Sequence, residues 1–238
     1  MNKQRLDKII STQFNISRRD ARRAVKIGEV TVDGAVIKDF GYQADVDTQK
    51  IEYCGRAMEY KQHLYIIMNK PKGVISASED KRQKTVIDLV PENLRRPDLF
   101  PAGRLDRDTT GLLIITDDGD FAHNLLSPKK KILKTYRAEL DGDITEEMIE
   151  AFAQGVTLAD GTICRKAQLK RIGECVAEIK ISEGKYHQIK RMFGVVGLGV
   201  NELQRIAVGG LFLPENLAVG ECRELKKGEI NNIFNDFA

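Results

Sequence analysis

The sequence predicts an α+β protein made of a small N-terminal α/β module and a larger domain with a mainly antiparallel mixed sheet. In the first part, two amphipathic helix patterns precede an alternating segment around an Asp-Gly turn. From Leu64 onward, apolar runs follow one another between turn residues, with helix patterns placed irregularly among them. That order favours α+β over a doubly wound fold. We expect residues 1–60 to form the first domain and residues 61–238 the second.

Local signals mark the limits of the N-terminal elements. An apolar stripe that begins at Leu6 predicts the first helix, with its positions spaced by three and four residues. Ser17 is expected to cap the second helix, and Gly28 to end it. Residues 30–36 then alternate around Asp33-Gly34, which predicts a hairpin.

Positive charge is concentrated in this module. Residues 1–30 carry eight basic and three acidic side chains, a net charge of +5, whereas the whole chain has a net charge of +3. Most of the basic side chains fall on one arc of the second helix, of roughly 140°. A charged arc is often only a solvated face, but this density favours binding to RNA. The residues predicted to bind RNA are Arg5, Lys8, Arg18, Arg19, Arg22, Arg23 and Lys26.

Two helices followed by a hairpin within residues 1–60 resemble the S-four-like RNA-binding domain. The resemblance extends to residues 5–8, residues 17–19, the helix end at Gly28 and residues 30–34. It implies that the module binds RNA through its basic helix.

The larger domain shows strands closed by turn residues. Residues 64–68 and 112–115 are apolar runs that predict buried strands. Thr145 is expected to cap a helix that ends at Gly155. Residues 175–181 alternate in polarity and predict a strand with one buried face.

The loop at residues 103–111 carries the most chemical content. Two glycines bracket charged residues immediately before an apolar strand, and such a loop can present a side chain at a strand edge. Asp106-x-Asp108-Thr109 resembles the phosphoryl-transfer loop of haloacid-dehalogenase-type phosphatases. In that family, however, the apolar strand precedes the aspartates, whereas the long apolar run here follows them. No later acidic pair completes a magnesium site, so we expect Asp108 to cap the turn before Leu112.

Four blocks in order are similar to the motifs of the pseudouridine synthase family. Residues 103–113 resemble its central motif, whose first aspartate is catalytic, and residues 69–73 resemble its first motif. Residues 134–136 resemble the strand whose aromatic residue stacks on the target base, and residues 183–193 resemble the third motif. The four together, behind an S-four-like domain, are a specific signal.

The resemblance implies roles for five residues. Asp106 is the expected catalytic carboxylate, acting either as a nucleophile or as a base. Tyr136 would stack on the extruded base, and Lys190 would pair with Asp106 and keep it ionised. Leu203 is expected to contact the substrate. Arg104 either binds a phosphate or braces the loop. Neither the histidines nor the cysteines show metal-ligand spacing, so we expect no metal. The isomerisation that the resemblance implies adds no atoms and needs no supplied energy, so we expect no cofactor.

The expected function is therefore isomerisation of a uridine in ribosomal RNA. Residues 127–129 and 186–188 look most like the branch that acts on small-subunit ribosomal RNA, either free or in a partly assembled subunit. The alternative is a non-catalytic ribosome assembly factor, which the presence of Asp106 disfavours. The chain shows no apolar stretch of the ~18 residues that a membrane helix needs, and no secretory signal. We expect a cytoplasmic monomer without membrane contact.

Overall fold

A computed structural model describes residues 2–235, which form two compact units. The first unit runs to Leu64 and also includes Glu92–Leu99, and the second contains Tyr65–Pro91 and the chain from Phe100 onward. The first unit thus extends beyond the boundary expected after residue 60. Arg96 explains why a later segment belongs to it, since its guanidinium donates to Gln13 Oε1 at 2.7 Å and to the Lys61 carbonyl at 3.0 Å.

Two helices and short strands make up the described part of the first unit. They are β1 (Lys3–Arg5), α1 (Leu6–Gln13), α2 (Arg18–Ile27), β2 (Val30–Val32), β3 (Ala35–Val36), β4 (Gln43–Asp45), β5 (Ile51–Tyr53) and β6 (Arg56–Ala57). The strands form a β1–β4 pair and a sheet in the order β3-β2-β5-β6. Apolar side chains of α1, α2, β2 and β5 form the core between them.

The local signals of this unit are confirmed. Ser17 Oγ accepts a hydrogen bond from the Asp20 backbone N–H at 3.1 Å, which caps α2. Gly28 ends the helix with a left-handed φ of 85°. Asp33 and Gly34 both have positive φ, as a two-residue hairpin turn requires, and Val32 pairs with Ala35.

The second unit is built on a nine-stranded sheet. Its elements are β7 (Tyr65–Lys70), β8 (Phe100–Pro101), β9 (Thr110–Thr116), α3 (Gly119–Leu126), β10 (Lys134–Leu140), α4 (Glu146–Gln154), β11 (Gln168–Gly173), β12 (Val176–Ile181), α5 (Gln188–Val195), β13 (Val200–Val208), β14 (Leu211–Phe212), β15 (Cys222–Glu224) and α6 (Lys227–Phe234). Short 3-10 turns span Ile87–Leu89 in this unit and Glu92–Leu94 in the first.

The sheet runs β11-β12-β10-β13-β9-β7-β15, with β14 on β13 and β8 on β9. Its strand pairs are antiparallel except β9 with β13, which is parallel. The predicted α+β class with a mainly antiparallel mixed sheet is confirmed. Thr145 caps α4, which ends at Gly155, as expected. Helix α3 was not predicted from the sequence; the Asp118 carboxylate caps it by accepting from the Phe121 N–H at 2.9 Å.

The apolar runs that predicted β7 and β9 are buried because both faces of these strands are covered. Side chains such as Ile67 and Ile114 pack in one cluster with Phe121 and Leu125 of α3 and Ile233 of α6. Burying side chains of this size stabilises the fold by roughly 1.5–3 kcal/mol each. Within residues 2–235, no helix has both the length and the apolar character needed to cross a bilayer.

Gly111 lies at the parallel junction between β9 and β13, opposite Arg205. Its φ is +98°, and a Cβ there would stand 2.3 Å from the Arg205 carbonyl oxygen and 2.9 Å from the Arg205 nitrogen. Both are backbone atoms held in the sheet, so they cannot move aside as the end of a flexible side chain could. The junction therefore requires glycine.

We expect Gly111→Ala to lower the free energy of unfolding by about 2 kcal/mol or more, because a strained φ and a backbone clash coincide. Gly119→Ala is the matched control, since it begins α3 in open space. It should change stability by less than about 1 kcal/mol. Urea unfolding of both variants gives the comparison, and equal effects would contradict the account of the junction.

Candidate active site and basic surface

The loop that carries Asp106 is held by a buried lysine. Lys70 ends the apolar strand β7 and is fully buried. Its ammonium donates to the carbonyls of Pro71 at 3.0 Å, Asp106 at 3.1 Å and Thr109 at 3.0 Å, with Arg107 at 3.4 Å. Because one ammonium group binds several carbonyls of the loop, the lysine ties the loop to β7.

The charge on Lys70 depends on this environment. Burial lowers the pKa of Lys70 to about 8, although the nearby Asp108 and Asp106 carboxylates oppose the shift. The side chain is therefore mostly protonated at neutral pH and can donate its three N–H groups. Sequence reasoning placed Lys70 in a motif but gave it no role. A lysine that directly closes an apolar strand was the signal.

A second brace acts on the other side of the loop. Ser76 Oγ donates to the Leu105 carbonyl at 2.9 Å and accepts from the Leu105 N–H at 3.0 Å. Gly73 N–H donates to the Arg107 carbonyl at 2.8 Å. The backbone on both sides of Asp106 is thus fixed by hydrogen bonds within the protein.

A cavity of about 210 Å³ opens beside Asp106. The neighbouring strands β10, β13 and β9 explain its composition, because Tyr136 comes from β10, Leu203 from β13 and Asp106 from the loop before β9. Tyr136 is 7% exposed and forms part of an apolar wall. Arg104 lines the same cavity, so four of the five residues predicted to act on the substrate come together here.

Lys190 is the exception, and its predicted ion pair with Asp106 is wrong. The Lys190 ammonium pairs with the Asp108 carboxylate, and Lys190 does not line the cavity. The hydrogen bond from Lys190 lowers the pKa of Asp108. Asp108 lies two residues further along the loop and its side chain is 63% exposed, which brings it within reach of α5. The turn expected to depend on Asp108 is closed instead by the Thr109 N–H and the Asp106 carbonyl.

Asp106 faces a histidine that sequence reasoning left without a role. His187 Nε2 lies 3.6 Å from Asp106 Oδ1, and His187 also lines the cavity. At this distance the imidazole can pair with the Asp106 carboxylate, in the place that was expected of Lys190. The contact joins a loop and a helix far apart in sequence, so spacing alone could not reveal it.

Two polar groups in the cavity have no partner among residues 2–235. Arg104 is exposed and makes no hydrogen bond or ion pair there. Thr109 Oγ1 is buried and also lacks a hydrogen-bond partner. Both are available to a bound ligand. Across the described residues, no three His, Cys, Asp or Glu side chains cluster as metal ligands would.

The basic side chains of the first unit are organised around one buried carboxylate. Asp7 is fully buried, and its Oδ2 accepts from Arg5 at 3.0 Å, from Arg18 at 3.0 Å and from Arg22 at 2.9 Å. The three guanidinium groups nevertheless stay half-exposed. Asp7 therefore aligns them on the surface without neutralising all of their charge.

The remaining predicted RNA-binding residues are exposed as well. Lys26 lies over the Phe40 ring at 5.4 Å, as does Arg22. Lys8, Arg19 and Arg23 make no ion pair with any described residue. Basic charge held on one face in this way fits a phosphate backbone. That these side chains contact RNA stays a prediction.

A carboxylate beside a base-sized, partly apolar cavity, in a chain with a separate basic module, defines an enzyme that acts on a base extruded from RNA. Residues 64–194 match the model of the RNA pseudouridylate synthase family, and residues 4–49 match that of the S4 domain. The chain therefore belongs to the RNA pseudouridine synthases. The predicted family and N-terminal domain are confirmed, and the phosphatase alternative is set aside.

Relatives share this architecture over nearly their whole length. The chain is 43% identical over 231 residues to an uncharacterized RNA pseudouridine synthase of Bacillus subtilis, covering 95% of this chain and 97% of that protein. It is 41% identical over 231 residues to ribosomal small subunit pseudouridine synthase A of Vibrio cholerae, covering 97% and 99%. A crystal structure of a pseudouridylate synthase superposes with a TM-score of 0.68 at 33% identity, covering 96% of this chain and 99% of that one.

The Asp7 cluster makes stability depend on pH. Burial alone would raise the pKa of Asp7, but hydrogen bonds from Arg22, Arg18 and Arg5 outweigh it and lower the pKa to about 2, from 3.8. Because the folded-state pKa is depressed, the stabilisation is complete above about pH 4 and is lost as pH falls toward 2. It amounts to about 2 kcal/mol.

We therefore expect Asp7→Asn to lower the free energy of unfolding at pH 7, and the difference from the wild type to shrink below pH 4. Urea unfolding across this pH range measures it. Asp47→Asn is the control, because Asp47 is exposed in the same unit. A difference that stayed constant with pH would rule out titration of Asp7 as its source.

Proposed function

We propose that this chain converts a uridine of small-subunit ribosomal RNA to pseudouridine, with Asp106 as the catalytic carboxylate. The observation that carries the proposal is the position of Asp106, in a loop fixed by Lys70 and at the cavity lined by Tyr136 and Leu203. The choice of small-subunit RNA is supported by the resemblance to the Vibrio cholerae synthase, whose name specifies that subunit.

The reaction breaks the bond between uracil N1 and ribose C1′ and forms one between C5 and C1′. A proton leaves C5 and N1 gains one, so no atoms are added overall. A carboxylate can assist either by attacking C1′ or by removing a proton from the sugar. Asp106 suits both roles, because its backbone is fixed while its side chain remains partly exposed.

The detached uracil must turn without escaping, and the cavity walls serve this step. The Tyr136 ring provides an apolar face for the base. The Thr109 hydroxyl, which has no hydrogen-bond partner within residues 2–235, can bond to a polar edge of the uracil. The Arg104 guanidinium is free to bind the phosphate next to the target nucleotide. Lys190 acts indirectly, through its ion pair with Asp108 of the loop that carries Asp106.

The proposed partner is ribosomal RNA, either free or within a partly assembled small subunit, and the proposed site of action is the cytoplasm. We propose that the chain acts as a monomer.

We expect Asp106→Asn to abolish pseudouridine formation while RNA binding persists, because the change removes charge and nucleophilicity but keeps the side chain's size. Asp108→Asn is the matched control and should cost at most a modest part of the rate, since its carboxylate pairs with Lys190 outside the cavity. The assay maps pseudouridine in deproteinised small-subunit RNA. An active Asp106→Asn would refute the assignment, and a wild type that binds RNA without turnover would favour the assembly-factor alternative.

The basic surface generates a separate prediction. Replacing Arg19 and Arg23 with Gln should weaken RNA binding and reduce the slope of log affinity against log salt by about 0.7–0.9 per lost contact. Folding stability should change little, because neither residue is ion-paired in the described chain. Replacing Arg18 and Arg22 should instead reduce both affinity and stability, because Asp7 loses partners. An unchanged salt slope in the first variant would count against this face as an RNA contact.

A further inference from the structure

Two aromatic rings stack at the rim of the catalytic cavity. The Tyr186 and His187 rings lie 3.9 Å apart between centroids, with an angle of 17° between their planes. Both residues line the cavity together with Asp106. Tyr186 is 74% exposed, although a tyrosine ring gains free energy from burial. Its place on the lining of the cavity leaves the exposed ring in position to contact a ligand that enters there.

The backbone holds these rings in a costly conformation. His187 has a φ of 48°, in the left-handed region that a non-glycine residue rarely adopts. Such a conformation is strained and persists where its surroundings enforce it, often at functional sites. The neighbouring Gln188 provides the constraint, since its side chain is buried and bonded to the Lys185 N–H and to Glu183, each at 2.9 Å.

The chemistry of the rim indicates what covers the rings. A uridine that enters the cavity leaves the RNA stack, so the base next to it loses a stacking partner. Exposed aromatic rings bind unstacked RNA bases by stacking, and this works for any base because each has a π-face. Arg104 lines the same cavity with a free guanidinium, which suits the phosphate between two adjacent nucleotides.

We propose that the stacked pair Tyr186–His187 is a binding subsite for the nucleobase adjacent to the target uridine. The proposal rests on the proposed function, since it assumes that a uridine occupies the cavity beside Asp106. The Tyr186 ring carries the stacked base, and the His187 ring supports Tyr186 from behind while its Nε2 faces Asp106. The subsite requires that a neighbouring base be present and does not select which base it is.

The first test combines a protein change with an RNA change. The probe is a single-stranded heptamer with one uridine between adenosines, made intact and with an abasic residue on either side of the uridine. Tyr186→Leu should weaken binding of the intact RNA about 5- to 100-fold, the range expected for one stacked base. Tyr186→Phe should bind as the wild type does. When the abasic residue replaces the base that stacks on Tyr186, the wild type and Tyr186→Leu should bind the RNA equally.

The second test uses the composition of the chain. The sequence contains no tryptophan, so Tyr186→Trp introduces a single indole at the subsite. A base stacked on it should quench its fluorescence, and the abasic heptamer should not. Phe212→Trp is the matched control, because Phe212 is an aromatic residue of the same unit that is 65% exposed but does not line the cavity. Its fluorescence should stay unchanged.

The outcomes separate the subsite from the proposed function. Equal losses by Tyr186→Leu on intact and abasic RNA, or a wild type that does not distinguish these RNAs, would overturn the subsite. Pseudouridine formation by the wild type on deproteinised small-subunit RNA is measured alongside. Turnover without coupling between Tyr186 and the flanking base overturns the subsite alone. Coupling without turnover upholds the subsite and contradicts the proposed function.

Discussion

The loop that carries Asp106 depends on a positive charge buried where water cannot reach it. An ammonium group in such a place must be surrounded by acceptors, and for Lys70 these are the backbone carbonyls of the loop that carries Asp106. Because the carbonyls turn toward the lysine, the path of the loop is determined by β7. The position of the Asp106 carboxylate follows from that path, and so does the space left beside it.

The parallel junction between β9 and β13 adds the rest of the site. It places β13, and next to it β10, beside the strand that follows the loop. Residues distant in sequence, Tyr136 and Leu203, thereby become walls of the cavity at Asp106. The close backbone approach at Gly111 makes this junction possible. A mainly antiparallel sheet thus uses one parallel pairing to assemble its site.

What could be predicted from the sequence was what local chemistry determines. The cap at Ser17, the helix end at Gly28 and the Asp33-Gly34 turn depend on neighbours within a few residues, and the family motifs located Asp106. Contacts between segments distant in sequence could not be predicted. Lys190 was assigned to the wrong aspartate, because a motif indicates that two segments meet but not which of two carboxylates, two residues apart, faces the helix. The tie of Arg96 to the first unit and the contact of His187 with Asp106 were missed for the same reason.

The Asp7 cluster determines the stage at which arginine side chains lose conformational entropy. An exposed arginine samples many rotamers, and immobilising it removes up to about 2 kcal/mol of side-chain entropy. Arg5, Arg18 and Arg22 are already held by a buried carboxylate, so much of that freedom is lost during folding. If RNA binds this face as predicted, its phosphates would meet guanidinium groups whose directions are set in advance. The acidic residue at the centre of the basic face would then favour binding of an anion, even though its own charge opposes it.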